Sequence, residues 1–252
     1  MKKLFFLALC GCLMLTACKQ KQNDPASPNE AASETQQELA DKDATPANAG
    51  VLWYNNNAPK EAKLEEIVRK DNSYTLAYIA KREGPDGLEN MVVDEKNGYI
   101  EYKLLTGDGF MNVQVTLYKS NTDTFIGTAS LSPYDGSIAF WMVKGEKWTN
   151  VVQTAIPQIS PEQFVSKEDW NIADSAAQRL FGSPLGQCLF LAYNLPRYGT
   201  EVSVVPKLKE GVYHIEEDKL SEDEKQAFNR LWNGKPISLV WDMKTGKFSI
   251  KK

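Results

Sequence analysis

Between Tyr99 and Ile156 the chain is a succession of short β-branched and aromatic runs, "YIEYKLL", "MNVQVTLYK", "FIGTASL", "SIAFWMV" and "KWTNVVQ". They are separated by "TGDG", "SNTD", "SPYDG" and "KGE", clusters of the residues that punctuate strands. This spacing predicts an antiparallel meander. Within "MNVQVTLYK", Val113, Val115 and Leu117 alternate with Gln114, Thr116 and Tyr118. One face should therefore pack inward while the other can meet solvent.

The flanking segments carry helix signals. In "NAPKEAKLEEIVRKDN", Pro59 suits a first helical position, and Ala62, Leu64, Ile67 and Val68 supply an apolar side, so the pattern predicts a helix. "SYTLAYIAKR" then turns strand-like. In "ISPEQFVSKEDWNIADSAAQRLFG", Ser160 followed by Pro161 and Gln163 is a capping-box start, predicting a helix or helix pair towards Phe181. "CLFLAYNLP" and "TEVSVVP" read as strands joined by a turn at "RYG". Ser221 with Glu224 repeats the capping box, Phe228, Leu231 and Trp232 form one apolar face, and Gly234 with Pro236 ends that helix. "PISLVWDMKTGKFSIKK" closes the chain as a hairpin. The fold class implied is α+β, an antiparallel meander with a few packed helices, preceded by a disordered tether.

The N-terminus is of a different kind. Lys2 and Lys3 precede a nearly all-apolar run from Leu4 to Leu15, and small residues follow, as in an export signal. The run falls short of the roughly 18 to 20 residues that cross a bilayer. Leu15-Thr16-Ala17-Cys18 resembles the lipobox of bacterial lipoproteins, which implies that residues 1–17 are removed and that Cys18 becomes a lipidated N-terminus. Two or three acyl chains make a durable anchor where one is marginal. Lys19 stands where the inner-membrane retention signal of enteric bacteria has Asp, and that analogy points to the outer membrane.

From Lys19 to Gly50 there is no aromatic residue, and Leu39 is the one large aliphatic. Such a stretch cannot bury enough apolar surface to offset the entropy of ordering it. Residues 18–50 therefore read as a lipidated cysteine and a tether; as a flexible chain of about 32 residues it spans on the order of 30 Å. The rest divides into a mainly β region, 51–157, and an α+β region, 158–252, with all six tryptophans of the chain in that body. The formal charge is −4, or −6 once Lys2 and Lys3 are removed, which advertises no nucleic-acid partner.

The chemical inventory mostly excludes. Cys10 and Cys12 lie in the removed segment, so Cys188 is the single remaining thiol, and its apolar setting "GQCLFLAY" reads as buried and unreactive. His214 is the only histidine, so clustered-imidazole metal sites are absent and a Ser-His-Asp or Cys-His arrangement would rest on it alone. "SIKK" matches S-x-x-K formally, but in a strand Ser249 and Lys252 point to opposite faces. "TGDG", "GPDG" and "YDGS" fit neither a phosphate loop nor a calcium loop and read as turns. The acids from Glu216 to Glu224 read either as a cation site or as a solvated approach to a helix N-terminus, where acids are favoured. No metal or other cofactor is expected.

The stretches "NGYIEYKLLTGDG", "MNVQVTLYKS", "FWMVKGEKWTNVVQTAIPQIS", "YNLPRYGTEVSVVP" and "LVWDMKTGKFSI" resemble an uncharacterised family of exported bacterial proteins, many of them lipoproteins. The resemblance covers roughly residues 97–160 and 189–250, implies the same exported architecture, and brings no catalytic residues with it. Two functions are compatible with these features. One is a non-catalytic binding or scaffolding module held on the envelope through Cys18, meeting a protein or glycan, with Tyr118, Trp141 and Trp148 as candidate aromatic platforms on the meander's outer face. The other is a carboxylate-dependent glycan hydrolase, which needs only two acids flanking a bond.

Overall fold

The computed structural model describes residues 49–81, 87–107, 109–210 and 213–251. The expected export signal, the expected lipidation site Cys18 and the expected tether as far as residue 48 lie outside the described residues. The body opens with helix α1 (Val51–Asn56), hairpin strands β1 (Ile67–Lys70) and β2 (Ser73–Leu76), and a single helical turn α2 (Ala77–Ala80).

This opening corrects the expected helix at Pro59. A 3-10 turn over Lys60–Ala62 stops at Lys63, whose φ of 53° is left-handed, and Ile67–Lys70 is strand. Two asparagines at the end of α1 take the place of helical partners. Asn56 accepts from the Ile67 N–H at 2.9 Å and donates to the Ile67 carbonyl at 2.7 Å, while Asn55 donates to the Glu65 carbonyl at 2.8 Å. The two-residue loop Asp71-Asn72, with φ of 50° and 65°, then has both central residues left-handed, as a type I′ hairpin turn requires.

The meander follows as β3 (Leu88–Asp94), β4 (Tyr99–Thr106), β5 (Gly109–Lys119), β6 (Thr124–Leu131), β7 (Gly136–Lys144) and β8 (Lys147–Asn150), a six-stranded antiparallel sheet in sequence order. After a turn of helix, α3 (Val152–Ala155), the capping box at Ser160 opens only a 3-10 turn over Pro161–Phe164. Ser166 caps the long helix α4 (Lys167–Phe181), accepting from the Asp169 N–H at 3.1 Å. The short α5 (Leu185–Cys188) leads into β9 (Leu189–Asn194) and β10 (Val202–Leu208). Helix α6 (Glu222–Trp232) carries the second capping box, with the Ser221 N–H donating to Glu224 at 2.8 Å. Strands β11 (Ile237–Asp242) and β12 (Lys247–Ile250) complete a four-stranded sheet in the order β12-β11-β10-β9. The fold is α+β with antiparallel sheets throughout.

Register decides what covers what. Ile100, Tyr102, Val113, Val115, Ile126, Trp141 and Val143 share one face of the meander, and residues 51–79 close over it in one apolar cluster with Val51, Tyr54, Ile67, Leu76 and Ile79. Tyr118, Phe125 and Phe140 lie on the opposite face and pack against Val202, Val204, Leu239, Trp241 and Phe248 of the four-stranded sheet. Helices α4 and α6 form a third cluster around Ala173, Ala176, Ala177, Phe228 and Leu231, with Leu189 of β9. The second sheet covers the β5–β7 part of its face. Over β4 and β5 that face stays polar and half-buried, with Glu101 accepting from Asn112 at 3.0 Å and from Gln114 at 3.2 Å.

Tyr118 sits within this interface with its ring 5.3 to 5.5 Å from those of Phe140, Trp241 and Phe248. Its hydroxyl is buried without a hydrogen-bond partner, and burial pushes its pKa well above the tyrosine range. Desolvating such a group without compensation costs about 1–3 kcal/mol. Tyr118→Phe is therefore expected to stabilise the fold by about 1 kcal/mol, read as a raised urea midpoint at unchanged slope. A lowered midpoint would mean that the hydroxyl is satisfied in solution.

Candidate ligand-binding cleft

An open cleft of about 620 Å³ lies where one end of the meander meets the β9–β10 end of the second sheet. That volume falls within the ordinary range of ligand sites. Its walls are built from two hairpin tips that the sequence presents as turns. In the tip joining β6 to β7, the Ser132 N–H donates to the Asp135 carbonyl at 2.8 Å, and the Ser132 hydroxyl accepts from the Asp135 N–H at 3.1 Å. This closed turn presents Pro133 and Tyr134 at the rim, with Tyr134 38% exposed. The tip joining β4 to β5 brings Gly109 against Pro133 and leaves Phe110 40% exposed.

The second sheet supplies Phe190, Lys207, Leu208 and Glu210. Beside the cleft it meets the first sheet closely at two points. The Glu210 N–H donates to the Pro133 carbonyl at 2.8 Å, and Gly136 comes so close to β9 that a Cβ there would lie 2.6 Å from the Leu191 carbonyl oxygen.

The meander contributes Lys103, Asn112 and Leu131, neighbours across β4, β5 and β6 by register. Asn112 donates to Glu101, and Gln114, bonded to the same carboxylate oxygen, accepts from the Leu195 N–H at 2.9 Å. The polar part of the cleft is thereby tied through a hydrogen-bond ladder to the loop that joins β9 to β10. The Lys103 ammonium lies 3.9 Å from the Phe110 ring centroid and pairs with Glu89, a cation–π geometry that orients both groups. Lys207 is exposed and has no acidic partner among the described residues.

The β9–β10 loop is pinned at its far end. Arg197 donates to Asp94 at 2.8 Å, and the Asp94 carboxyl is held below its usual range by hydrogen bonds from Asn97 first and Arg197 second. A depressed carboxyl pKa contributes stability above its unfolded value near 3.9, lost as pH falls through the lower folded value. Asp94→Asn is expected to free this loop at neutral pH and to raise trypsin cleavage after Arg197 several-fold, since cleavage follows local opening. Equal cleavage of both proteins would remove the pin from the account.

The three aromatics anticipated as platforms lie elsewhere. Tyr118 is 1% and Trp141 8% exposed, on opposite faces of the meander. Trp148 is half-buried, its ring 6.2 Å from that of Tyr54 and 6.5 Å from that of Trp141. They cannot form one surface. The face expected to meet solvent is covered by the second sheet over β5–β7, and Tyr118 and Trp141 are core. The exposed aromatics that line the cleft are Phe110 in "GDGF" and Tyr134 in "SPYDG", each beside a turn glycine or proline, while Tyr78 and Tyr198 are exposed away from it.

The other candidates also find places. Cys188 is free and fully buried, its Sγ 3.5 Å from the Pro184 carbonyl, and burial pushes its thiol pKa up. His214 is exposed in an irregular segment. Within the acidic run, Glu216 pairs with Lys219, Glu222 with Lys225, and Glu224 with Arg179. Among the described residues no group of three or more His, Cys, Asp or Glu is placed to hold a metal ion, and no helix is long and apolar enough to cross a membrane. The chain matches no protein-family model, no curated protein and no solved structure.

Proposed function

We propose that the chain is a lipid-anchored binding or scaffolding module of the bacterial envelope, held at Cys18 on the outer membrane, with the cleft between its sheets as the ligand site. The observation that supports binding is the cleft itself, where exposed Phe110 and Tyr134 share the lining with Asn112, whose amide is held by Glu101 on the same face. Aromatic surface beside a few fixed polar groups is the ordinary make-up of a recognition site. The anchor rests on the lipobox, and the tether gives the body reach from the membrane.

Glycan hydrolysis would use the same cleft, but it needs two carboxyl groups about 5 to 9.5 Å apart across the bond. Among the described lining residues Glu210 is the single carboxylate. The test is carried out on the full chain in its own cells. Labelled fatty acid should enter the native protein and not Cys18→Ala, and a photo-crosslinker at position 134 should capture an envelope component that the same probe at position 78, far along the chain, does not. Label entering Cys18→Ala would overturn the anchor. Identical capture at both positions would overturn the cleft, and glycan turnover lost in Glu210→Gln would replace binding by catalysis.

A further inference from the structure

We propose that the partner of this cleft is a second copy of the chain, which inserts its Tyr198 loop, a reading that rests on the cleft being a binding site. The loop joining β9 to β10 is a knob. Tyr198 is 70% exposed, more than any other large hydrophobic side chain among the described residues. The backbone that carries it is nevertheless held at successive residues. The Leu195 N–H donates to Gln114 at 2.9 Å, the Thr116 hydroxyl donates to the Pro196 carbonyl at 3.3 Å, and Arg197 donates to Asp94 at 2.8 Å. Gly199, with φ of 81°, then turns the chain. An aromatic ring that its own fold leaves in water, on a loop already ordered, escapes much of the ordering cost of being buried in a partner. Tyrosine and arginine side by side are also the residues on which interface energies most often concentrate.

The cleft matches this knob in surface and in charge. Phe110, Leu131, Pro133 and Tyr134 offer a tyrosine ring apolar and aromatic neighbours. The charges of the lining are compensated, Lys103 by Glu89 and Lys207 by Glu210. Those beside Tyr198 are compensated as well, Arg197 by Asp94 and Glu201 by Lys251. Contact between the two surfaces therefore buries no unpaired charge, whereas a strongly charged ligand would find no counter-charge in the cleft. Knob and cleft lie at opposite ends of the β9–β10 hairpin, since Phe190 pairs with Lys207 at one end and Asn194 with Ser203 at the other. A strand of that length spans on the order of 15–20 Å, so a braced loop does not reach the cleft of its own copy. A copy that fills a neighbour's cleft keeps its own open, and the contact repeats head to tail.

The experiment places two differently tagged copies of the full chain in the same cells, one of them with the photo-crosslinker at position 134. The two copies should become joined, with the adduct on residues 195–200 of the second. Tyr198→Ala in the second copy should lower the yield about tenfold, equivalent to 1.4 kcal/mol. The same substitution in the copy that carries the crosslinker should leave the yield unchanged, because its cleft is intact. Tyr198→Phe, which keeps the ring, should retain capture from either side. An unchanged urea midpoint checks that Tyr198→Ala is folded, as expected for so exposed a side chain. A yield lowered equally from both sides, or from neither, overturns the proposal. Capture of a different protein without the second copy also overturns it while leaving the binding reading standing, whereas an empty crosslink would remove that reading itself.

Discussion

Phe140→Ala is expected to cost about 3–5 kcal/mol of folding stability, the range for truncating a buried aromatic. Phe140 is 1% exposed, and its ring lies 5.3 to 5.6 Å from those of Tyr118, Phe125, Trp241 and Phe248. Two of those partners belong to the meander and two to the second sheet, so the cavity would open in the joint between them. A relaxing strand could refill a cavity at a sheet edge, but here both sides are strands held in register by their neighbours. A domain of ordinary stability has about 5–15 kcal/mol in total, so the urea midpoint should fall steeply while the slope holds. Phe110→Ala, which removes a half-exposed ring at the cleft, should stay within about 0.5 kcal/mol, as surface changes usually do. Equal costs for the two would contradict the packing of the sheets through Phe140.

Much of this architecture is legible in the sequence because its signals are local. Five of the meander's six strands follow from five runs and four turn clusters, β3 lying before the first of those runs, and both capping boxes form where Ser160 and Ser221 place them. At Ser160 the predicted helix is delayed. The box closes over a 3-10 turn, and a second cap at Ser166 starts α4. At Pro59 the sequence misleads, because the apolar spacing of Leu64, Ile67 and Val68 suits a helix while the bonds from Asn55 and Asn56 that hold the segment extended come from another element. Tertiary hydrogen bonds of that kind leave no periodicity. The signal that does survive is Asp71-Asn72, a two-residue hairpin loop.

The site was less legible for a related reason. Large aromatics inside strands drew attention to Tyr118, Trp141 and Trp148, but ring size does not tell which face of a strand will be covered. Covering the second face of the meander depends on strands β9–β12, which begin 39 residues after β8 ends. Phe110 and Tyr134 were open to a simpler argument. An aromatic next to a tight turn has little neighbouring strand to bury it, and two such residues on adjacent hairpin tips mark an exposed apolar rim. Lys207 and Glu210 enter the cleft only because β10 ends beside those tips.

Gly136→Val should be the most informative change near the cleft. The first added atom, Cβ, would lie 2.6 Å from the Leu191 carbonyl oxygen and 2.8 Å from the Phe190 ring, both closer than folded proteins allow. A flexible side chain could swing away, but a strand carbonyl and a ring that is 9% exposed cannot move without displacing β9. Valine suits a strand intrinsically, and that preference offsets part of the clash. Overpacking of this kind costs about 1–3 kcal/mol and shifts backbone. The shift would fall on the joint that forms the cleft, since Gly136 pairs with Leu131 and Phe190 is a lining residue. Ligand capture at position 134 should therefore decline along with stability. Gly186→Ala provides the comparison, because a Cβ there meets nothing within 4 Å and its φ is not left-handed. In the short helix α5 it should be neutral or stabilising by about 0.5–1 kcal/mol. If Gly136→Val matched Gly186→Ala in midpoint and capture, the two sheets would not be in contact at β7 and β9, and the cleft would lose its rear wall.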